Sequence, residues 1–204
     1  MHQRGLTPLV REEKHMFRFE RTKIPDVIVI TPEIRGDSRG YFLEVYKDTD
    51  FESVGIHGPF VQDNESSSSR GVLRGLHFQK AHTQGKLVRV TSGRVYDVAV
   101  DVRPGSPTYG EYVGVELDAE TKKMFWIPPG FAHGFLVLSS QATFTYKCTD
   151  VYDPTSEGGV PWNDETIGIA WPELDIPYKT SEKDGKHPAF TEQDFSWAEK
   201  YLAR

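Results

Sequence analysis

The strongest constraint on the fold is a series of short runs rich in β-branched and aromatic residues, separated by Gly, Pro, Asp and Ser. Runs of this length and composition are typical of β-strands. They occupy residues 27–30, 41–46, 71–78, 86–90, 94–102, 112–117, 124–127, 135–138 and 143–149. The series predicts a mainly β protein, an antiparallel sandwich or barrel.

Two of these runs alternate with period two, which assigns their side chains to opposite faces. In residues 94–102, Tyr96 and three valines share one face, and Asp97, Ala99 and Asp101 share the other. In residues 143–149, Tyr146 lies on the same face as Phe144 and Cys148. We therefore expect Tyr146 to point into the barrel, although spacing alone favours a structural tyrosine over a catalytic one.

The length of 204 residues suits one domain with appendages. We expect a frayed N-terminal extension over residues 1–15, the main domain over residues 16–185 and a helical segment over residues 186–204. Thr191 and Asp194 have capping-box spacing, and apolar residues then recur at helical intervals. Residues 150–164 form a long polar loop in which Tyr152 and Trp162 are candidates to cover a ligand.

Charge is distributed unevenly along the chain. The net charge of −6 argues against a nucleic-acid-binding protein. Residues 66–96, however, hold six Lys and Arg residues and no Asp or Glu. A basic segment in an acidic protein predicts a site for a small anion such as a phosphate or diphosphate, the alternative being a solvated basic edge.

The N-terminal region is charged at residues 11–14, where a signal peptide would be apolar. The sequence has no apolar run of membrane-spanning length. Its single cysteine, Cys148, excludes an internal disulfide and fits a reducing compartment. We therefore expect a cytoplasmic protein without a membrane partner.

A small barrel with a histidine on one strand and a later Pro-Pro-Gly-Phe-Ala-His run, residues 128–133, resembles the cupin superfamily. A metal-binding cupin has a His-x-His pair and a glutamate in its first motif. Here His77 and His133 are present, but Gln79 and Gln84 stand where the second histidine and the glutamate would be. Glutamine is a poor ligand for Zn, Fe or Mn, so we expect no bound metal.

Several longer motifs, in the same order along the chain, resemble the dTDP-4-dehydrorhamnose 3,5-epimerase family. The most specific is Leu-Arg-Gly-Leu-His-Phe-Gln at residues 73–79. The others lie at residues 36–42, 60–64, 84–89, 97–101, 126–135, 146–147, 162–164 and 171–172. The resemblance covers residues 24–184 and implies a double-stranded β-helix, the cupin or jelly-roll barrel, with short C-terminal helices.

The resemblance also implies a reaction. The family inverts C3 and C5 of a dTDP-4-dehydro-6-deoxyhexose, through an enolate at C4, without a cofactor. His77 matches the base, Asp184 the carboxylate that orients it, Lys86 the cation near the C4 oxygen and Tyr146 the acid on the opposite ring face. Taken alone, His77 would be interpreted as a core histidine, and Asp184 before Gly185 as an ordinary turn residue.

Binding roles follow from the same resemblance. Tyr152 matches an aromatic residue that stacks on thymine, and Arg74 and Lys183 suit the diphosphate. Strict alternation would place Arg74 and His77 on opposite faces of one strand, although both are expected to line one pocket. Either a bulge at Gly75 brings the two side chains to one face, or Arg74 reaches the pocket around the edge of the barrel. The full set of substrate-binding candidates is Arg39, Glu44, Gln62, Asn64, Arg74, His133, Tyr152, Glu157 and Lys183.

The family resemblance further implies a homodimer in which Arg39 and Glu44 serve a neighbouring subunit's site. Three alternatives stay open at this point. The same base, lysine and tyrosine would serve an enzyme that inverts only C3 or C5. A metal-dependent cupin enzyme is disfavoured by Gln79 and Gln84, and a binding module without turnover would not depend on His77.

Overall fold

A computed structural model describes residues 16–202, so the predicted N-terminal extension lies outside the described residues. In this part of the chain the structure has thirteen strands and one short α-helix, α1 (Asp48–Glu52). The strands are β1 (Phe17–Arg21), β2 (Ile28–Pro32), β3 (Arg35–Asp37), β4 (Gly40–Phe42), β5 (Gln62–Ser69), β6 (Leu73–Gln79), β7 (Lys86–Ser92), β8 (Arg94–Asp101), β9 (Tyr112–Asp118), β10 (Met124–Ile127), β11 (Phe131–Val137), β12 (Gln141–Cys148) and β13 (Glu157–Gly159).

Two antiparallel sheets form the body of the protein. One has the order β1-β2-β10-β7-β12-β5 and the other the order β13-β6-β11-β8-β9, while β3 and β4 form a separate hairpin. Apolar side chains from both sheets, including Val88, Phe125 and Phe144 from one and Ala99 and Phe135 from the other, pack into a shared core. The predicted double-stranded β-helix is confirmed.

The inward face of β8 carries the aspartates. Ala99 belongs to the core between the sheets, whereas Val98 and Val100 pack under the C-terminal segment. Asp97 and Asp101 therefore point into the protein with Ala99, and both are fully buried. An ionisable group at such a position requires a partner, and each has one.

The C-terminal segment is helical but is not one continuous helix. It consists of 3-10 turns at Phe190–Glu192 and Ser196–Tyr201, after an earlier turn at Asp184–Lys186. Gln193 is extended, and Asp194 then accepts a hydrogen bond from the Ser196 backbone N–H at 2.9 Å. Asp194 therefore starts a second turn instead of closing a capping box with Thr191.

The sequence pattern does not predict strand β5, because this strand consists of polar residues only, Gln-Asp-Asn-Glu-Ser-Ser-Ser-Ser. All eight of its residues pair with β12, from Gln62 opposite Cys148 to Ser69 opposite Gln141. Pairing with a neighbouring strand, not local propensity, makes this segment extended. Conversely, only the first part of the run at residues 41–46 is a strand.

Candidate active site

A cavity of about 490 Å³ opens between the two sheets, and we call it the central cavity. His77 of β6 and His133 of β11 reach it from one sheet. Lys86 of β7 and Tyr146 of β12 reach it from the facing sheet. The cavity therefore presents a histidine and a tyrosine to a ligand from opposite sides.

His77 is held by a buried carboxylate. Its Nε2 donates to Asp184 Oδ1 at 2.7 Å, and the Asp184 carboxylate also accepts the Gly75 backbone N–H at 3.4 Å. Burial alone would raise the pKa of Asp184, but these hydrogen bonds, chiefly from His77, lower it overall. Asp184 is thus a fixed anion that orients the imidazole ring.

His133 forms a second histidine–aspartate pair in the central cavity. Its Nε2 lies 3.0 Å and 3.1 Å from the two oxygens of Asp97, and both side chains are buried. Burial lowers the pKa of His133, and the attraction of Asp97 opposes this only in part. His133 is therefore a neutral donor fixed in one orientation, stacked on the Phe144 ring.

Lys86 of β7 lies directly opposite Cys148 of the neighbouring strand β12. Burial lowers the pKa of Lys86, while the nearby Cys148, Asp97 and Glu157 act in the opposite direction. The residue is half-buried in the wall of the central cavity. A cation with little water around it is well placed to attract a developing negative charge.

Tyr146 points inward, as the alternation of β12 predicts, and packs against the shared core. Burial is the main reason that its pKa is raised, and Arg74 opposes the shift. A tyrosine with a raised pKa keeps its proton near neutral pH. It can therefore donate that proton to a substrate carbon that is more basic than the Tyr146 phenolate.

Strand β6 contains the bulge that Arg74 and His77 require. Its register against β11 shifts between the pairs His77–His133 and Arg74–Phe135. Gly75 lies in this step with φ of +101°, and a Cβ there would lie 2.5 Å from the His133 carbonyl oxygen. The bulge brings Arg74 and His77 into the same cavity, which confirms the first of the two predicted solutions.

Glu157, Tyr152 and Lys183 form one polar group at the rim. The Tyr152 hydroxyl donates to Glu157 Oε2 at 2.8 Å, and Lys183 Nζ donates to the same oxygen. Burial would raise the pKa of Glu157, but Lys183 and then Tyr152 lower it overall. The group keeps an exposed aromatic ring, an anion and a cation together beside the cavity.

Gln62 and Asn64 lie side by side on β5, next to this rim. Gln62 Nε2 donates to Asn64 Oδ1 at 3.0 Å, and Gln62 Oε1 accepts the Tyr152 backbone N–H at 2.8 Å. Asn64 Nδ2 also contacts Cys148 Sγ at 3.5 Å. These two amides thus tie the loop that carries Tyr152 to the sheet that carries Tyr146.

Arg39 and Glu44 are the predicted site residues that the chain brings neither to the central cavity nor to its rim. Arg39 lies in the β3–β4 hairpin and pairs with Asp37. Glu44 Oε2 is buried without a hydrogen-bond partner among the described residues. Their role in ligand binding, which the sequence analysis assigns to a neighbouring subunit's site, therefore stays a prediction.

Two residues at the cavity carried a weak signal or none in the sequence. Asp97 was recognisable as an aspartate on an inward face, but its partner His133 lies 36 residues away. His187 had no recognisable pattern, and its ring stands edge-on to His77 at 6.0 Å. Only the folded chain shows what these residues contact.

The two glutamines at the cupin metal positions hold the adjacent loop. Gln79 Nε2 donates to the His82 and Val151 carbonyls, and its Oε1 accepts the Asp153 backbone N–H. Gln84 Nε2 donates to the Asp150 carbonyl at 3.0 Å. The Gln79 amide makes two donor contacts and one acceptor contact at the same time, which neither an imidazole nor a carboxylate can supply.

Comparison with known proteins decides the family. A family model described as dTDP-4-dehydrorhamnose 3,5-epimerase matches residues 21–192. The chain belongs to the dTDP-4-dehydrorhamnose 3,5-epimerase family. Its relative of that name from Salmonella typhimurium is 54% identical over 170 residues, which cover 82% of this chain and 92% of the relative.

Solved structures of other epimerases share the fold. The dTDP-6-deoxy-D-glucose-3,5-epimerase of Legionella pneumophila, in complex with dTDP-4-keto-L-rhamnose, is 48% identical with a TM-score of 0.86, over 89% of this chain and 96% of that one. A 3'-monoepimerase from Streptomyces bikiniensis, in complex with dTDP-quinovose, is 35% identical with a TM-score of 0.79, over 84% and 87% of the two chains. None of the helices in residues 16–202 of this epimerase is long and apolar enough to cross a membrane.

Proposed function

We propose that this epimerase inverts C3 and C5 of dTDP-4-dehydro-6-deoxy-D-glucose to give dTDP-4-dehydro-L-rhamnose, in dTDP-L-rhamnose biosynthesis. The observation that carries the proposal is the approach of His77 and Tyr146 from opposite sheets of one cavity. Inversion of a carbon requires that the proton leave from one face and return on the other. A single group on one face would restore the starting configuration.

In the proposed mechanism His77 is the base. Its Nε2–H donates to Asp184, which leaves the free lone pair on Nδ1. When His77 takes a proton from C3 or C5, the Asp184 carboxylate stabilises the imidazolium that forms. General-base catalysis of this kind contributes about 10²- to 10⁴-fold in rate.

The electrons left on carbon move to the C4 oxygen and form an enolate. Lys86 is the proposed stabiliser of this oxygen, because it is a half-buried cation in the cavity wall. One well-placed donor of this kind contributes about 3 kcal/mol. Tyr146 then protonates the carbon from the opposite face. His77 releases the proton it took to water and the Tyr146 phenolate regains one from water, after which the cycle repeats at the second carbon.

The nucleotide is proposed to bind along the rim. Tyr152, with 52% of its surface exposed, would stack on thymine, and Gln62 and Asn64 would contact the nucleoside beside it. Arg74 and Lys183 would hold the diphosphate. His133 is proposed to accept a hydrogen bond from a sugar hydroxyl on Nδ1, since its Nε2–H is committed to Asp97 and this pair fixes the ring.

The test is the reaction in heavy water followed by ¹H NMR. Incorporation of deuterium at both C3 and C5, with formation of the L-sugar, is the expected result. The same base and acid would serve a mono-epimerase, an activity carried by the Streptomyces bikiniensis neighbour. Deuterium at only one carbon would replace our proposal with that activity.

We also propose a homodimer in which Arg39 and Glu44 complete the partner's site. The β3–β4 hairpin supports this, since Tyr41 and Phe42 are 60% and 62% exposed next to Arg39. The partnerless Glu44 carboxylate oxygen, described above, is consistent with a contact outside the chain. The single cysteine, which fits a reducing compartment, supports a cytoplasmic enzyme.

Mixing two inactive variants tests the shared site. Arg39→Ala and His77→Ala homodimers are unfolded together and refolded, so that mixed dimers form. About a quarter of all sites would then combine an intact Arg39 with an intact His77, and activity would return to that level. Activity that stays at the level of the separate variants would exclude the shared site.

A further inference from the structure

His187 stands beside the proposed base and has no assigned role. Its side chain is only 9% exposed, and its Nε2 is buried without a hydrogen-bond partner among residues 16–202. This Nε2 lies 3.8 Å from Asp184 Oδ1, the same oxygen that His77 contacts. A buried polar atom without a partner is costly, and its orientation toward a carboxylate points to a missing ligand.

The fold places His187 there by two local features. Asp184 opens a 3-10 turn that ends at Lys186, and His187 follows this turn directly, with its side chain directed back toward Asp184. The ring occupies space left open by Gly159, whose Cβ, if present, would lie 2.3 Å from His187 Nε2. Gly159 itself pairs with His77 on β6, so the same pair of strands positions both rings.

We propose that His77, Asp184 and His187 form a binding site for a divalent transition-metal ion such as Zn²⁺, and that binding switches the base off. One ligand atom from each of the three residues lies within 4.8 Å of the others. Two imidazoles and a carboxylate are the donor set that Zn²⁺ accepts with a fourth position open. This set shares only His77 with the cupin metal positions, which here hold His133, Gln79 and Gln84 as well.

The distances suit a tetrahedral ion after small movements. Bonds of about 2.0–2.1 Å to the ion place neighbouring ligand atoms about 3.4 Å apart. His77 Nε2 and Asp184 Oδ1, now 2.7 Å apart, would separate, and His187 Nε2, now 3.8 Å from Asp184 Oδ1, would approach. The fourth position of the ion would face the central cavity, which His77 and Asp184 line.

Metal binding requires neutral imidazoles and an ionised carboxylate, so the His77 proton would move from Nε2 to Nδ1. The carboxylate of Asp184 is ionised, as described above. The nearest cation, Lys183, is paired with Glu157, which reduces its repulsion of the ion.

Metal binding and proton abstraction exclude each other chemically. A neutral imidazole has one lone pair and one N–H. With Nε2 on the ion, the proton must be on Nδ1, so His77 has no lone pair left to take a proton from C3 or C5. The ion is therefore an inhibitor of the proposed reaction, and its removal restores the base.

The experiment is calorimetric titration of Zn²⁺ into full-length protein freed of metal with a chelator, and it does not depend on catalysis. We expect one ion per chain. His187→Phe keeps an aromatic ring beside Gly159 but removes the ligand nitrogen. It should weaken zinc binding by at least roughly 10- to 100-fold, which is the loss seen when a residue that only hydrogen-bonds to a metal ligand is changed. His82→Phe is the matched control, because His82 forms an exposed pair with Asp150 at 3.2 Å. Thermal unfolding checks that each variant folds, and His187→Gln replaces His187→Phe if the latter does not.

Equal affinity of the wild-type protein and His187→Phe, or loss of binding in His82→Phe, would overturn the proposal. Co²⁺ gives a second readout, since tetrahedral coordination by histidine produces visible absorption that His187→Phe should lose. The inhibition by zinc rests on the proposed function. NMR should show that Zn²⁺ stops epimerisation by the wild-type protein and that a chelator restores it. The same Zn²⁺ concentration should leave epimerisation by His187→Phe unaffected. If zinc binds as expected but no protein epimerises the sugar, the proposed function falls and the metal site stands.

Discussion

His77 is the residue whose removal distinguishes an epimerase from a binding module. We expect His77→Ala to reduce epimerisation by about 10²- to 10⁴-fold, because the proposed base is lost. Binding of dTDP should stay close to that of the wild-type protein, since the rim is unchanged. Direct NMR of the sugar and calorimetry with dTDP measure the two quantities, and full activity in the variant would refute the assignment.

Tyr146 has a narrower role, which a conservative change can isolate. In Tyr146→Phe the base and Lys86 remain, but the hydroxyl that protonates the far face is lost. We expect deuterium from heavy water to enter C3 or C5 with retained configuration, while the inverted product falls by about 10²-fold or more. Normal inversion by this variant would assign the acid to another group.

Asp184 links the active site to stability. Its pKa is lower in the folded protein than in the unfolded chain, so the stability it contributes is present above its unfolded pKa of about 3.9 and is lost as pH falls through the folded value. Asp184→Asn should therefore be less stable than the wild type at pH 7, with a gap that narrows below about pH 4. Thermal unfolding from pH 3 to pH 8 checks this, and a gap independent of pH would argue against an ionised Asp184.

At the scale of one element, the bulge in β6 decides the geometry of the site. Gly75→Ala would place a methyl group 2.5 Å from the His133 carbonyl oxygen at a φ of +101°. We expect a loss of stability of about 1–3 kcal/mol from the backbone conformation alone, with the clash adding to it, and a loss of activity from displaced Arg74 and His77. Denaturant unfolding and the NMR assay measure the two effects.

Gly55 supplies the control for this prediction. It also has a positive φ, of +90°, but no atom lies within 4 Å of the Cβ that alanine would add. Gly55→Ala should therefore show the conformational cost without the clash and without loss of activity. If Gly75→Ala and Gly55→Ala lost the same free energy of unfolding, the close approach of β6 and β11 would not contribute to the cost of Gly75→Ala.

At the scale of the whole molecule, Arg103 joins distant parts of the chain. Its guanidinium makes a bidentate contact with Asp101 at 2.9 and 2.8 Å, and also donates to Asp26 and to the Tyr201 carbonyl. Arg103→Met would leave the buried Asp101 without its charge partner, so we expect a loss of about 3–5 kcal/mol in the free energy of unfolding. Urea unfolding measures this.

Arg70→Met is the comparison for Arg103→Met. Arg70 pairs with Asp175 at the surface, where both side chains are substantially exposed, so its loss should cost only about 0–1 kcal/mol. In Arg103→Met we also expect the C-terminal segment to loosen, which the fluorescence of Trp197, stacked on Phe78 at 5.1 Å, would report. Equal losses in the two variants would show that burial of Arg103 is unimportant.

The sequence by itself determined the fold class and most of the proposed chemical groups. Alternation along residues 143–149 was sufficient to turn Tyr146 inward, because side chains on a strand must alternate between faces. Strict alternation would separate Arg74 from His77, whereas a shared pocket requires both on one face. A bulge at Gly75 satisfies both conditions, because glycine alone readily adopts a bulge conformation with positive φ. Both are consequences of local backbone geometry.

Only the tertiary structure decided which groups meet. The bond between His77 and Asp184 joins residues 107 positions apart, and the approach of His77 and Tyr146 from opposite sheets depends on how those sheets face each other. The polar strand β5 is extended because β12 pairs with it, and His187 faces Asp184 because Gly159 leaves room for its ring. Local propensity contains no information on such contacts, because their energies arise only when distant segments pack together.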